Sequence, residues 1–335
     1  MRLENQSVLL EDVTARLGSQ AIAESPAVPS GLIAAQGAID LGKDRGDIAF
    51  NMPTIALDEE IVRSVPEVGQ WLWEHAHPKG LASLKGDIHY DGGREEPVNC
   101  HVEVALHDVA VNGPEIPVPV QGLSGDLLIT NRRAVGDDLT AVACSGRVRA
   151  SVVAHYGKEA ERPTYAGTLE LWRLDLGELI HQWTGKPQEL SGILDGAVDF
   201  GGVAGSATGI AARGRVALTE GRLWEMPFFA GLLGVLHFSL PLQKPTLQHG
   251  EMSFDRVGGQ TKIKEFELAG AGLQITGRGD ISEHGELEMR MVVMGAPQKG
   301  NGIPLVSNIM GWVMRGVERQ LFRVDVSGTL GEPQF

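Results

Sequence analysis

Cysteine is almost missing from this chain: among 335 residues only Cys100 and Cys144 occur. Neither has metal-ligand spacing, so a cysteine-built metal site is excluded. Two readings stay open for the pair. They are buried free thiols within strand-like stretches, or one cross-strand disulfide formed in an oxidising compartment. Positive charge is also scarce, with Lys+Arg 29 against Asp+Glu 43 and a net charge of -14. A nucleic-acid binder needs a basic stripe, and docking on an anionic membrane by charge alone needs the same excess. Both are excluded.

Long apolar runs are lacking too. The nearest is Met226 to Phe238, which is short, begins at Pro227 and stops near Pro241, so it reads as a buried helix rather than a span. The opening Met1-Arg2-Leu3-Glu4-Asn5 has no apolar signal core. Catalytic groupings are missing as well. His75 and His77 sit two apart on a helix end and point to different faces, so they share no ion. His101, Glu103 and His107 lie on the polar face of an alternating strand and read as solvated. Asp40, Asp44 and Asp47 surround a turn, and Asp137-Asp138 after Gly136 reads as a hairpin tip. Ser145 and Ser191 precede glycine without a nucleophile elbow, and Gly201 to Ser206 has no phosphate-loop lysine. The expectation is a protein that is not an enzyme and carries neither metal nor cofactor.

What the chain does have is glycine and alternation. Gly 44 of 335 is about twice the usual share. The glycines head strand phrases such as Gly86-Asp87-Ile88-His89-Tyr90, Gly146-Arg147-Val148-Arg149-Ala150, Gly167-Thr168-Leu169-Glu170-Leu171 and Gly214-Arg215-Val216-Ala217-Leu218. Within these phrases the glycines read as turns and bulges. A period of two gives strands with one apolar and one polar face. Helical spacing is confined to short stretches. These follow Asp58, run from Leu176 to Trp183, follow Met226, and run from about Pro304 to Gln320. That is too little helix for a parallel α/β fold. The predicted fold is mainly β, a long antiparallel, strongly curved sheet forming an open groove or half-barrel, capped by three or four short α-helices.

The order of elements in the C-terminal half adds a resemblance. Gly209 to Trp224 leads into Met226-Pro227 and an apolar helix. Then come Gly250-Glu251-Met252-Ser253-Phe254, Ile263 to Leu268, Leu273 to Ile281, and a closing Arg323-Val324-Asp325-Val326-Ser327-Gly328-Thr329-Leu330-Gly331-Glu332-Pro333. This order resembles the C-terminal region of the AsmA-like proteins of Gram-negative-type envelopes, relatives of TamB. The division it suggests is 1–189 as a repetitive β-groove region and 190–335 as the AsmA-like C-terminal region, continuous with the same sheet.

The resemblance implies an apolar β-groove in the periplasm that binds or conducts phospholipid acyl chains between inner and outer membrane and supports outer-membrane assembly. It also implies an inner-membrane anchor by an N-terminal helix, which this sequence lacks, and partners among envelope proteins. The residue reading fits, because a sheet with one dry face and few helices must close on itself or hold something apolar. Candidate lipid-binding residues facing the groove are Val102, Val104, Leu106, Leu169, Leu171, Val216, Leu218, Leu273, Ile275, Leu287, Met289 and Met291. Ordinary core packing is the competing reading for each. The alternative function is a structural or scaffold β protein of the envelope that binds other proteins; a carbohydrate-active β fold would need paired carboxylates in a cleft.

Overall fold

The computed structural model describes residues 2–4, 7–16, 32–64, 69–114, 118–156, 162–185, 191–206, 209–222, 231–232, 247–270, 273–295, 321–329 and 332–335. Among the described residues the fold is mainly β, with 18 strands ordered in one antiparallel sheet and three helices. It divides into two compact units. One holds Met1–Leu174, Gln182–Gly185 and Asp199–Ser206, and the other holds Asp175–His181, Lys186–Val198 and Ala207–Phe335. The helices expected after Met226 and from Pro304 to Gln320 lie almost wholly outside the described residues, as does the boundary near residue 189.

The first unit contains β1 (Arg2–Glu4), β2 (Ser7–Arg16), β3 (Leu32–Asp40), β4 (Arg45–Leu57), α1 (Glu59–Arg63), α2 (Gly69–Ala76), β5 (Lys79–Asp91) and β6 (Val98–Val111). It continues with β7 (Val120–Thr130), β8 (Arg133–Ala143), β9 (Gly146–His155) and β10 (Thr164–Asp175). Each strand pairs antiparallel with its neighbour in sequence. The helical stretch after Asp58 comprises α1 and α2. Asp58 caps α1 through its Oδ1, which accepts from the Ile61 backbone N–H at 2.9 Å. Ile61 of α1 then packs on a cluster of Ile55, Ala82, Val104, Leu106 and Val109.

The second unit holds α3 (Leu176–Thr184) for most of its length and the first part of β11 (Ser191–Val203). It then has β12 (Ala211–Arg222), β13 (Leu247–Val257), β14 (Gln260–Gly270), β15 (Leu273–Ile281), β16 (Leu287–Gly295), β17 (Leu321–Gly328) and β18 (Pro333–Gln334). From β12 to β18 pairing is again sequential and antiparallel. The register builds apolar ladders: Val216, Met252, Phe266, Gly277, Met291 and Val324 stand side by side on successive strands.

Three expectations need correcting. The phrase glycines are mostly not turns; several sit in mid-strand on the apolar face, each covered by a large neighbour. A Cβ on Gly277 would lie 2.6 Å from the Phe266 ring, and one on Gly214 would lie 2.9 Å from the Phe254 ring. The neighbouring ring occupies the space that a side chain at the glycine would take. Asp137-Asp138 is likewise not a hairpin tip but a bulge inside β8, with Asp138 at φ 57 and the register slipping between Gly136 and Leu139. Asp108 does the same in β6, at φ 54 with a slip between Leu106 and Val109. A bulge inserts one residue and so reverses which face the following residues meet. Val109 therefore stays inward although it is three residues, not two, beyond Leu106. Cys144 is also not in a strand: it occupies the β8–β9 turn, at φ 45 beside Ser145 at φ 57.

Candidate functional site

In the first unit the apolar face is defined by register. On β5 and β6 the cross-strand pairs Ala82↔Leu106, Leu84↔Val104, Gly86↔Val102, Ile88↔Cys100 and Tyr90↔Val98 all share it. On β4 the matching residues are Ile55, Met52, Phe50, Ile48 and Gly46. On β7 they are Gly125, Leu127 and Ile129. These rows contain no charged side chain.

Exposure along this face is graded. On β6, Val109 is 1% exposed, Val104 and Leu106 are each 8%, Val102 is half-buried and Val98 reaches 46%. On β5 the run goes from Ala82 at 0% to Ile88 at 37% and Tyr90 at 36%. The closed end is the side of the bulges and of α1. The open end is the side of the β3–β4 and β5–β6 turns. Leu169 and Leu171 on β10 are half-buried opposite Ala150 and Val148.

The second unit is different. Leu273, Ile275, Leu287, Met289 and Met291 are all buried in one cluster with Leu232, Ile263, Phe266, Leu268, Val293, Val324 and Val326. Leu176 and Ile180 of α3 and Leu218 of β12 pack on that cluster. Val216 is half-buried beside Met252. Of the candidate residues, Val102, Leu169 and Leu171 of the first unit are half-buried while Val104 and Leu106 are core there, and in the second unit all but the half-buried Val216 and Leu218 are buried in the packed cluster.

Ile48, Phe50, Ile88, Tyr90, Val98 and Cys100, none of them among the sequence candidates, form the more open part of the same face. The signal was present for two of them, since Ile88 and Tyr90 belong to the Gly86 phrase.

The opposite face is polar and internally paired. Asp47 accepts from or ion-pairs with His89, and Ser83 Oγ lies 3.1 Å from His107 Nε2. His101 stands opposite Asp87, and Glu103 opposite Lys85. Among the described residues no group of His, Cys, Asp and Glu could hold a metal ion. In the second unit Asp255 is bridged by Lys264 at 2.7 Å and Arg213 at 2.9 Å. The Lys264 hydrogen bond chiefly lowers its pKa, against a smaller opposing effect of burial.

Between the tips of β3–β4 and β5–β6 sits Asp91, 5% exposed. Arg45 approaches it at 3.3 Å, Arg94 at 3.2 Å, and the Gly93 N–H donates to it at 3.2 Å. Burial pushes this carboxyl up, but the Gly93 N–H and the two guanidinium groups outweigh it and hold it below its ordinary value. Cys100 shows the opposite: burial, then the negative charge of Asp87, push its thiol up. Cys100 and Cys144 form no cross-strand disulfide in the structure. Cys144 is 3% exposed, its Sγ 3.4 Å from Gln182 Oε1.

Compared with known proteins, the chain matches no family model, no curated protein and no solved structure. Among the described residues no helix is long and apolar enough to cross a membrane.

Proposed function

We propose that this chain is a non-enzymatic cell-envelope protein whose apolar β-face binds or conducts phospholipid acyl chains between inner and outer membrane, in support of outer-membrane assembly. The observation that carries the reading is the uncharged face of the first unit, which opens step by step along β5 and β6 toward Ile88, Tyr90 and Val98. An acyl chain on such a face gains about 0.8 kcal/mol per methylene taken out of water. It needs no directional partner, and the rows of this face carry no charged side chain. The resemblance of the C-terminal half to AsmA-like proteins points the same way and suggests a periplasmic setting. The binding surface in this reading is Val102, Leu169 and Leu171 together with Ile48, Phe50, Ile88 and Tyr90. The packed cluster of the second unit acts as its structural core.

Native mass spectrometry of protein purified without detergent tests this. The expected result is adducts with the masses of diacyl lipids, lost in Ile88→Asp while circular dichroism keeps the β signature. Lipid-free protein from every preparation, or unchanged loading of Ile88→Asp, overturns the reading.

A further inference from the structure

The apolar face of the first unit closes in one direction only. Across the strands, at one level, exposure hardly changes: Phe50, Gly86, Val102 and Ile129 stand in a row on β4 to β7 and all are half-buried. Along the strands it falls to a floor. Ile55, Ala82 and Leu106 form a deeper row on β4 to β6, exposed by 2%, 0% and 8%. Two features build that floor. The register slips there on neighbouring strands, between Met52 and Ile55 and between Leu106 and Val109, and such bulges bend and twist a strand. At the same level α1 sets Ile61 on the cluster of Ile55, Ala82, Val104, Leu106 and Val109.

Resting on the acyl-chain reading above, we infer that this face measures the chain it binds. The tail lies along β5 and β6 with its methyl end at the floor, and the site accommodates up to about 16 carbons. Val98, at the open end, lies six residues from Val104, where exposure has dropped to 8%. At about 3.3 Å per residue this is about 20 Å of strand. An extended alkyl chain, with bonds of about 1.5 Å at about 111°, advances about 1.25 Å per carbon. A tail of about 16 carbons therefore reaches from Val98 to the floor. A longer tail must leave its extra carbons in water or force apart side chains that are already close-packed. A tail lying across the strands meets no such stop, so a length limit reports the direction of the chain as well as its size.

The test is binding of saturated lysophosphatidylcholines to the full chain, in a series from tails shorter than the track to tails clearly longer. All are kept below micelle-forming concentrations and read by displacement of a fluorescent fatty acid. The headgroup is constant, so only the tail varies. Affinity is expected to rise about two- to fourfold per added carbon and to level off near about 16 carbons. In Val102→Phe the new ring fills the track four residues in from Val98, so levelling should move to about 10 carbons. A rise that continues past the length of the track overturns the length limit and leaves acyl binding standing, with the tail across the strands. A break that a folded Val102→Phe does not move places the stop elsewhere and also overturns the inference. Binding at no length overturns the acyl-chain reading itself. If Val102→Phe does not fold, the wild-type series decides alone.

Discussion

If the two units use the same kind of strand for different ends, truncating matched isoleucines should show it. Ile275 is fully buried, flanked in register by Leu268 and Val293. Ile275→Ala removes three carbons, worth about 2.4 kcal/mol at about 0.8 kcal/mol each. The rigid ladder around it cannot collapse, so a cavity cost of about 1 to 1.5 kcal/mol adds to this. The expected loss is about 3 to 4 kcal/mol. Ile88 sits on the same kind of face at 37% exposure. Roughly two-thirds of the transfer effect applies and no sealed cavity forms, so Ile88→Ala should cost about 1.5 kcal/mol or less. Urea unfolding gives the overall loss, and native-state hydrogen exchange of β15 and β5 amides assigns it to a unit. Equal costs would mean that the face at Ile88 is closed core and that the acyl site has no opening. A cost below about 1 kcal/mol for Ile275→Ala would mean that the second unit is not the packed body described.

Further outcomes follow from single features. Gly277→Ala should destabilise by about 2 kcal/mol or more, because the new methyl meets the Phe266 ring at 2.6 Å and the rigid Arg290 carbonyl at 2.7 Å. Phe266→Leu should restore only part of the melting temperature. Asp138, at φ 57, should tolerate glycine, whereas Asp138→Val should lose about 1 to 2 kcal/mol in denaturant titration. The Asp91 carboxyl is held below its ordinary value, so the folded state binds that proton less readily than the unfolded chain. Its stabilisation is complete above about pH 4 and is lost as pH falls through the folded value. Urea midpoints from pH 6 to pH 3 should fall less steeply in Asp91→Asn. A thiol reagent should modify Cys100 before the nearly inaccessible Cys144, and bound lipid should slow that reaction.

Much of the fold was legible because alternation is a direct imprint of the pleat. The Gly146, Gly167 and Gly214 phrases all fall in strands, and Asp58 starts a helix where a capping carboxylate belongs. What periodicity hid was its own interruption. Leu106-His107-Asp108-Val109 and Gly136-Asp137-Asp138-Leu139 look like ends of alternation, so the second stretch reads as a turn. In space a residue in the left-handed region absorbs one position and the inward pattern resumes. Arg173 and Glu220 take the same conformation at the same distance after Leu171 and Leu218. A polar residue two places after one inward residue and one place before the next is a readable signal once the bulge is known. The candidate face was harder. Apolar identity at Val102 and Ile275 is the same, and only burial separates an open surface from a closed one. That quantity depends on what lies across the face, which strand periodicity does not encode.

Sequential pairing within each unit has a consequence for how such a sheet comes to exist. In β2 to β10, and again in β12 to β18, each strand pairs with the next strand along the chain, so contacts are mostly local in sequence even where longer segments join β2 to β3, β4 to β5, β12 to β13 and β16 to β17. A hairpin can dock as soon as it is complete, using the preceding strand as its template. Growth by one hairpin adds one further set of inward positions and leaves the earlier pairings untouched. A protein built in this way can be lengthened or shortened in whole hairpins, and the span of its apolar face becomes a matter of how many are strung together.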